Sequence, residues 1–331
     1  MAETPQWLPW YAEAWSRLQA QRAAGRLPHA LLIHGPAGVG KGGLARLLAH
    51  ALLCEAPGDQ GRACGACRAC TLLAAGSHPD FLELVPEEEG KAIRIDAVRG
   101  LGAALALASQ YGGARVAVID PADAMNTAAC NSLLKTLEEP PPGTHLLLVS
   151  ARPARLPATV RSRCQRLALA PPSPEDARNW LAQRLDDPAA APALLAATGG
   201  APLAALALAG AGTEKVDATF DGLLALARGR RDPLELAAAW AQEAGAVLGW
   251  IYAWSADLVR LATAGADAPL RDPSRAGALQ GLAQRLDLEA LHRWLDRLLE
   301  ALGLVDGTLN RQLLMEDLLL EWVKVTAPAR R

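Results

Sequence analysis

The stretch GPAGVGKG, Gly35 to Gly42, constrains the fold of this chain more than any other part of its sequence. Seven of its eight positions match the P-loop pattern G-x-x-x-x-G-K-[ST], in which backbone amides cradle phosphates and a lysine reaches the terminal ones. The eighth departs from it, because Gly42 stands where a Ser or Thr hydroxyl normally binds Mg²⁺. The motif therefore predicts a P-loop fold whose metal site lacks one ligand.

Five short apolar runs in the first half of the chain predict the strands of a parallel sheet. Helix-length segments separate these runs, an alternation typical of an α/β domain. The runs are HALLIHG (29–35), FLELV (81–85), ARVAVID (114–120), HLLLVS (145–150) and QRLALA (165–170). The P-loop follows the first run and opens a predicted helix from about Lys41 to Cys54, so a bound phosphate is expected at the N-terminus of that helix.

The strand signals stop after residues 171–176, and Ala- and Leu-rich helical segments follow. This shift predicts an α/β domain over 1–170, a small helical domain over 171–210 and a larger helical domain over 211–331. In the last domain, six apolar residues at three- and four-residue spacing predict one long helix with a core-facing stripe. They are Trp240, Val247, Ile251, Trp254, Leu258 and Leu261.

Four cysteines form the second informative feature, with the spacing C-x9-C-x2-C-x2-C over 54–70. They are Cys54, Cys64, Cys67 and Cys70. Four thiolates in so compact a segment predict a tetrahedral Zn²⁺ site. Disulfides are the alternative, which a reduced cytoplasmic setting disfavours. Because four protein ligands leave no open coordination position, we expect the zinc to be structural.

Two further cysteines, Cys130 and Cys164, stand apart from this segment. We expect both of them to be ordinary buried thiols.

The sequence next to the predicted metal site also lacks part of the catalytic machinery of an ATPase. Asp120 ends an apolar strand at the position of the acid near Mg²⁺, but Pro121 follows where a glutamate would orient water. A lost general base costs about 10²–10⁴ in rate, and a missing metal ligand adds to that. Asp123 is a candidate substitute base, although an N-cap of the following helix is the favoured interpretation. We therefore expect no ATP hydrolysis by the chain alone.

Binding of a nucleotide is a separate question from its hydrolysis. Backbone amides and a lysine suffice to hold an anion. The predicted nucleotide-binding residues are Gly35, Gly38, Gly40, Lys41 and Asp120. We expect them to hold ATP or ADP weakly, with Mg²⁺ binding impaired.

Charge and composition exclude several classes of protein. The net charge is −2, which is unlike the strongly basic surface of an autonomous DNA-binding protein. No uncharged apolar run approaches the roughly 20 residues that a membrane span requires. The first residues contain no basic segment followed by an apolar one, so no secretory signal is expected. These patterns predict a cytoplasmic protein with no membrane partner.

The segment RSRC, Arg161 to Cys164, lies just before the last predicted strand. An arginine at a domain edge can serve as a finger in a neighbouring subunit's ATP site. A solvated surface arginine is the alternative, and the spacing alone leaves both open.

Four motifs in order carry a resemblance to a known family: LPHALLIHGPAGVGK (27–41), the Cys₄ segment, NSLLKTLEEPP (131–141) and RSRC (161–164). Together they resemble bacterial DNA polymerase III clamp-loader subunits of the AAA+ superfamily. The resemblance implies an AAA+ domain, a helical lid and a collar that assembles a hetero-pentamer with gamma/tau and delta subunits. It also implies a part in loading the sliding clamp onto primed DNA, within the DNA polymerase III holoenzyme.

Within this family, the departures at Gly42 and Pro121 separate the chain from the gamma/tau ATPase and favour a non-hydrolysing relative. The resemblance then implies that Arg163 acts on ATP bound to the adjacent gamma subunit. Two alternatives remain open at this point. One is an ATPase-competent, gamma-like subunit that uses Asp123 or a water network. The other is a zinc-dependent module that binds nucleic acid itself.

Overall fold

The computed structural model describes residues 5–88, 90–111, 113–305 and 309–327. The chain divides into two compact units, residues 1–171 and 172–331. The first unit has a parallel sheet covered by helices, and the described part of the second is helical. The predicted fold class is therefore confirmed. The finer division into a lid over 171–210 and a collar over 211–331 stays a prediction, and residues 306–308 and 328–331 of the predicted collar lie outside the described residues.

The sheet of the first unit has five parallel strands in the order β2-β3-β4-β1-β5. The three central strands are almost wholly buried, whereas β2 and β5 at the edges are partly exposed. All five apolar runs became strands, as predicted. The strands are β1 (Ala30–His34), β2 (Phe81–Leu84), β3 (Arg115–Ile119), β4 (Thr144–Ser150) and β5 (Gln165–Ala168).

Among the described residues of this unit, six α-helices connect and cover these strands. The second begins directly after the P-loop and ends at Leu53, one residue before the predicted end. The helices are α1 (Ala12–Ala23), α2 (Lys41–Leu53), α3 (Arg68–Ala74), α4 (Ile95–Ala106), α5 (Thr127–Glu138) and α6 (Ala158–Arg161). Because the P-loop follows the carboxyl end of β1, it lies at the carboxyl edge of the parallel sheet, where α/β proteins bind ligands.

A buried ion pair joins the amino ends of β2 and β3. Arg115 Nε lies 2.9 Å from a carboxylate oxygen of Asp80, and both side chains are almost fully buried. Asp80 also accepts hydrogen bonds from the Ser109 hydroxyl and from the amides of Gln110 and Tyr111. Burial alone raises the pKa of Asp80, but these donors outweigh burial and hold the pKa below its ordinary value.

The second unit consists of nine described α-helices around a core rich in tryptophan. The indole of Trp294 donates to the Ser255 hydroxyl (2.8 Å), and that of Trp322 to the carbonyl of Leu223 (3.1 Å). These bonds allow two large side chains to be fully buried without an unpaired N–H. The helices are α7 (Pro174–Ala182), α8 (Ala191–Ala197), α9 (Pro202–Ala211), α10 (Glu214–Ala227), α11 (Pro233–Trp240), α12 (Ala244–Ala264), α13 (Ala276–Ala283), α14 (Leu288–Leu304) and α15 (Arg311–Thr326).

The apolar stripe predicted on one long helix is divided between two helices. Trp240 ends α11, and a short 3-10 turn over 241–243 separates it from α12. The prediction was therefore wrong at its first residue. Glu243 has a ψ of 24°, which interrupts the α-helix before Ala244. All six residues of the stripe are nevertheless buried in one core cluster.

Within the described residues, no single helix is long and apolar enough to cross a membrane. One pair of helical segments, Pro188–Ala197 and Pro202–Ala211, passes that test only when taken together, and the pair is bent by 110°.

Candidate functional site

The P-loop connects β1 to α2, and its glycines are required by its backbone. Gly38 and Gly40 have φ angles of 75° and 88°, in the left-handed region that favours glycine. Gly40 is also the N-cap residue of α2. A Cβ atom on Gly35 would lie only 2.2 Å from the carbonyl oxygen of Leu169. The loop therefore has the conformation that the sequence motif predicts, including a helix N-terminus directed at its centre.

The side chain of the P-loop lysine is buried against its own loop. Lys41 is only 6% exposed, and its Nζ donates to the carbonyl of Pro36 at 2.6 Å. Burial lowers the pKa of Lys41, while the charges of Asp120 and Asp123 act in the opposite direction. The structure thus brings the predicted residues Gly35, Gly38, Gly40, Lys41 and Asp120 to one end of the sheet.

The position of the missing hydroxyl, at Gly42, is filled by neighbouring side chains. A Cβ atom on Gly42 would lie 2.1 Å from Asp120 Oδ2 and 2.8 Å from Arg46 Nη1. Such separations do not occur between real Cβ atoms and their neighbours, so a serine or threonine cannot be accommodated without movement of Asp120. The site does not fit a Mg²⁺ ion held by a residue 42 hydroxyl and Asp120 in the usual way.

Arg46 supplies the positive charge beside Asp120. It lies one turn after Gly42 on α2, and its Nε and Nη2 contact Glu83 Oε1 of β2 at 2.7 and 2.6 Å. Nη2 also lies 3.5 Å from Asp120 Oδ2. Burial raises the pKa of Asp120. The positive charge of Arg46 lowers this pKa and the negative charge of Glu83 raises it, and the net result is a raised pKa. A guanidinium between two carboxylates thus balances charge where a divalent metal commonly does in P-loop proteins.

Arg46 is not among the site residues that the sequence predicted. The available signal was its position four residues after Gly42, because residues i and i+4 lie on the same face of a helix. The strand pairing that brings Glu83 to the same place was not visible in the sequence.

Asp123 is not the helix N-cap that the sequence predicted. It lies in the 3-10 turn Ala122–Ala124, and its side chain is 3% exposed. Its Oδ1 accepts hydrogen bonds from the Ser150 hydroxyl (2.6 Å) and the Ala151 amide (3.2 Å). The N-cap of α5 is instead Asn126, whose side chain accepts from the Ala129 amide at 2.8 Å. Asp123 therefore ties this turn to the end of β4, which leaves it poorly placed to activate water.

An aromatic segment, defined here as Trp7, Trp10, Tyr11 and Trp15, contacts the outside of the P-loop. The Trp10 indole donates to the Val39 carbonyl at 2.9 Å, and the buried Tyr11 hydroxyl donates to the Gly40 carbonyl. Burial raises the pKa of Tyr11 well above its ordinary value. This phenol is therefore neutral and remains a donor at physiological pH.

The same aromatic segment also contacts the cysteine-bearing insertion. The Trp15 indole donates to the Gln60 carbonyl at 2.9 Å, and the Arg62 guanidinium lies 3.6 Å from the centre of the Trp7 ring. A cation over an indole face is an attractive arrangement. The insertion is consequently anchored on α1 rather than extended into solvent.

The four predicted cysteines form one cluster. Their Sγ atoms all lie within 4.8 Å of one another, and the pairs Cys54–Cys67 and Cys64–Cys70 are each 3.9 Å apart. A tetrahedral ion with Zn–S bonds of about 2.3 Å requires sulfur atoms about 3.8 Å apart. All four thiols are free, so the disulfide alternative is not realised. The cluster has the donor set and the spacing for one metal ion.

Backbone amides point at these sulfur atoms, as is common around metal-bound thiolates. The amides of Ala66 and Cys67 approach Cys64 Sγ at 3.5 and 3.3 Å, and that of Cys70 approaches Cys67 Sγ at 3.4 Å. These amides lower the pKa of Cys64 to about 6. Burial, in contrast, raises the pKa of Cys70 to about 12. The local backbone therefore stabilises negative charge on part of the cluster.

The predicted finger residue Arg163 lies between α6 and β5. Its side chain is 36% exposed, its Nη1 donates to the Thr159 carbonyl at 2.9 Å, and its Nη2 lies 2.5 Å from Glu138 Oε1. Its neighbour Cys164 is buried in the core, as is Cys130, in agreement with the sequence. The pairing with Glu138, at the end of α5, was not anticipated.

The geometry of the first unit defines a class of protein. A five-stranded parallel sheet with a P-loop after its first strand is the framework of an AAA+ domain, here with a P-loop that lacks its metal-binding hydroxyl. A family model described as DNA polymerase III, delta subunit, matches residues 10–173, and one for its C-terminal part matches residues 215–324. The chain is 39% identical to the DNA polymerase III subunit delta' of Pseudomonas aeruginosa, over 97% of this chain and 98% of that protein. The chain belongs to the DNA polymerase III delta' family.

Further relatives agree with this assignment. The chain is 38% identical to the Escherichia coli delta' subunit over 95% of its own length and 94% of that protein. It is also 35% identical to the E. coli subunit tau, but over 49% of this chain and 25% of tau. Among solved structures, a gamma subunit-related protein of Thermotoga maritima matches with a TM-score of 0.41 and 17% identity, covering 95% of this chain and 99% of the other. The two delta' relatives and the family models confirm the resemblance to bacterial DNA polymerase III clamp-loader subunits.

Proposed function

We propose that this delta' family member is a non-hydrolysing subunit of a replicative clamp loader. The observation that carries the proposal is the filled position at Gly42, where Asp120 and Arg46 take the space of the missing hydroxyl side chain. Pro121 removes the residue that orients water, and Asp123 is engaged with Ser150. A site without a metal ligand or a water-orienting base is unsuited to phosphoryl transfer.

The chain acts, in this proposal, within a hetero-pentamer that contains gamma/tau and delta subunits. The first unit is the AAA+ domain, residues 171–210 form the lid, and residues 211–331 form the collar that joins the subunits. The assembled loader places the sliding clamp on primed DNA in the cytoplasm. Family membership and the near-neutral charge of the chain support this proposal over direct DNA binding by the chain alone.

The Cys₄ cluster is proposed to hold one structural Zn²⁺. Four thiolates at these separations complete a tetrahedral shell, so the ion stabilises the insertion and takes no part in chemistry. Gly35, Gly38, Gly40, Lys41 and Asp120 are proposed to form at most a weak anion or nucleotide site without Mg²⁺. The bond of Lys41 to the Pro36 carbonyl competes with any phosphate at that site.

The remaining catalytic contribution of the chain is proposed to be Arg163. Its guanidinium acts in trans, on ATP bound to the neighbouring gamma/tau subunit, where a fixed planar cation stabilises charge that develops on the γ-phosphate. The buried Cys164 anchors the backbone next to it, while the guanidinium remains partly exposed.

A reconstituted loader that carries Arg163→Ala tests this proposal. DNA- and clamp-stimulated ATP hydrolysis and clamp loading are expected to fall, but not to vanish, because other ATP sites keep their own fingers. Arg161→Ala, two residues away, is the matched control and is expected to leave both activities near normal. Equal, near-normal activity of the two variants would show that Arg163 is a surface residue without a catalytic role.

A further inference from the structure

The guanidinium of Arg163 makes two polar contacts within the described residues. Nη1 donates to the Thr159 carbonyl one turn earlier, and Nη2 contacts Glu138 Oε1 at 2.5 Å. A guanidinium has five N–H donors, so these two contacts leave three for a ligand beyond the protein surface. These two contacts orient the side chain and leave other N–H donors for a ligand outside this subunit.

Glu138 is the last residue of α5, where a carboxylate is electrostatically unfavourable. The C-terminal end of a helix carries partial negative charge, and a positive side chain is favoured there. The contact with Arg163 supplies such a positive charge across the gap between α5 and the segment before β5. The unfavourable interaction of the Glu138 carboxylate with the helix C-terminus is therefore offset by its ion pair with Arg163.

The backbones of the two residues are held together by the core. Leu137, next to Glu138, and Cys164, next to Arg163, are both buried in the same apolar cluster, which also contains Val160 of α6. The separation of the two backbone segments is thus set by packed neighbours, while the charged side chains themselves are partly exposed. An ion pair anchored in this way loses less conformational freedom than one between two mobile surface side chains.

We propose that Glu138 is a positioning residue for Arg163, which holds the guanidinium in the orientation that an ATP phosphate of the neighbouring subunit requires. This inference rests on the proposed role of Arg163 as a finger. A misplaced catalytic group loses much of its effect, since small errors of position cost large factors in rate. Glu138 itself contacts no reacting atom in this proposal, and it acts through Arg163 alone.

The first test uses the isolated chain and does not depend on the proposed function. Glu138→Gln keeps the shape of the side chain and removes its charge, and Glu139→Gln, at the adjacent exposed carboxylate, is the matched control. NMR relaxation of the Arg163 Nε–H group reports the mobility of the side chain on the ps–ns timescale. The order parameter is expected to fall in Glu138→Gln and to stay unchanged in Glu139→Gln. An unchanged value in both variants would overturn the proposal.

The second test uses the reconstituted loader with wild type, Glu138→Gln, Arg163→Ala and the double variant. Glu138→Gln is expected to lower kcat for stimulated ATP hydrolysis by about twofold or more with KM unchanged, because positioning acts in the transition state. The double variant is expected to match Arg163→Ala, because Glu138 has no effect without its arginine. Assembly of each loader is checked by gel filtration.

The outcomes separate the two proposals. Full activity of Glu138→Gln beside a reduced Arg163→Ala would overturn the positioning role and leave the finger intact. A further loss in the double variant would also overturn it, because Glu138 would then act by another route. Full activity of Arg163→Ala would instead refute the proposed finger role of Arg163, on which the positioning role of Glu138 rests.

Discussion

The Oδ2 atom of Asp120 lies 2.1 Å from the point that a Cβ atom on Gly42 would occupy. Glycine at this position is therefore a packing requirement as well as a missing metal ligand. The carboxylate can occupy this space only because residue 42 has no side chain, and it is there that Asp120 lies close to Arg46.

Stability measurements test this packing requirement. Alanine normally stabilises a helix relative to glycine by about 0.5–1 kcal/mol. Gly100→Ala in α4, where a Cβ would meet open space, is expected to show this gain. Gly42→Ala in α2 is expected to show no such gain, because the Asp120 carboxylate and the Arg46 guanidinium must shift to make room for the methyl group. Urea unfolding of the two variants provides the comparison, and an equal gain in both would contradict the close contact.

ATP hydrolysis by the isolated chain is expected to stay at background, and Gly42→Thr is expected not to raise it. The substitution restores a hydroxyl, but Pro121 still replaces the water-orienting acid, and Arg46 still lies beside Asp120. Phosphate release measured with and without Mg²⁺ checks both statements. Lys41→Ala serves as the control for contaminating ATPases. Robust turnover that Lys41→Ala abolishes would show that the P-loop is active.

Metal analysis is expected to find about one Zn²⁺ per chain, because four sulfur atoms at this spacing complete one tetrahedral shell. Cys67→Ser is expected to lose the metal and to lower the melting temperature, since metal-binding free energy contributes to folding. Cys130→Ala, which removes a buried thiol outside the cluster, is expected to keep full zinc content. A chain free of zinc whose melting temperature is unchanged by a chelator would exclude a structural metal.

The buried pair Asp80–Arg115 predicts acid sensitivity. The pKa of Asp80 is lower in the folded state than its ordinary value of 3.8 in the unfolded chain. The contribution of Asp80 to the free energy of unfolding is therefore complete above pH 3.8 and is lost as the pH falls through the folded-state pKa. Asp80→Asn is expected to destabilise the chain by about 3–5 kcal/mol at neutral pH, because it leaves Arg115 buried without its counter-charge.

The matched control for this pair is Asp96→Asn, a change at an exposed carboxylate of α4. It is expected to stay within about 0.5 kcal/mol of the wild type. Urea unfolding between pH 2 and pH 7 compares the variants. The free energy of unfolding of the wild type is expected to fall more steeply with decreasing pH than that of Asp80→Asn. Equal slopes would contradict the lowered pKa of Asp80.

The sequence predicted the features that depend on local pattern. Buried parallel strands require apolar runs, and a P-loop requires glycines where its backbone has positive φ, so the sequence alone indicates both. The cysteine spacing likewise placed four thiols in one short segment.

Features that depend on distant residues were not predicted. Arg46 contacts Glu83 across 37 positions of the chain, and Arg163 contacts Glu138 across 25. Such pairs follow from the packing of elements, which periodicity does not specify. Asp123 was misassigned for the same reason, because its partner Ser150 ends a different strand, and the nearby Asn126 competes for the cap.

For protein engineering, the charge cluster of Glu83, Arg46 and Asp120 makes position 42 dependent on its neighbours. Threonine at position 42 would displace the Asp120 carboxylate, and proline would still follow at position 121. Removal of Arg46 alone would leave Glu83 and Asp120 without their shared cation. A designed Mg²⁺-dependent site on this P-loop would therefore need coordinated changes at positions 42, 46 and 121.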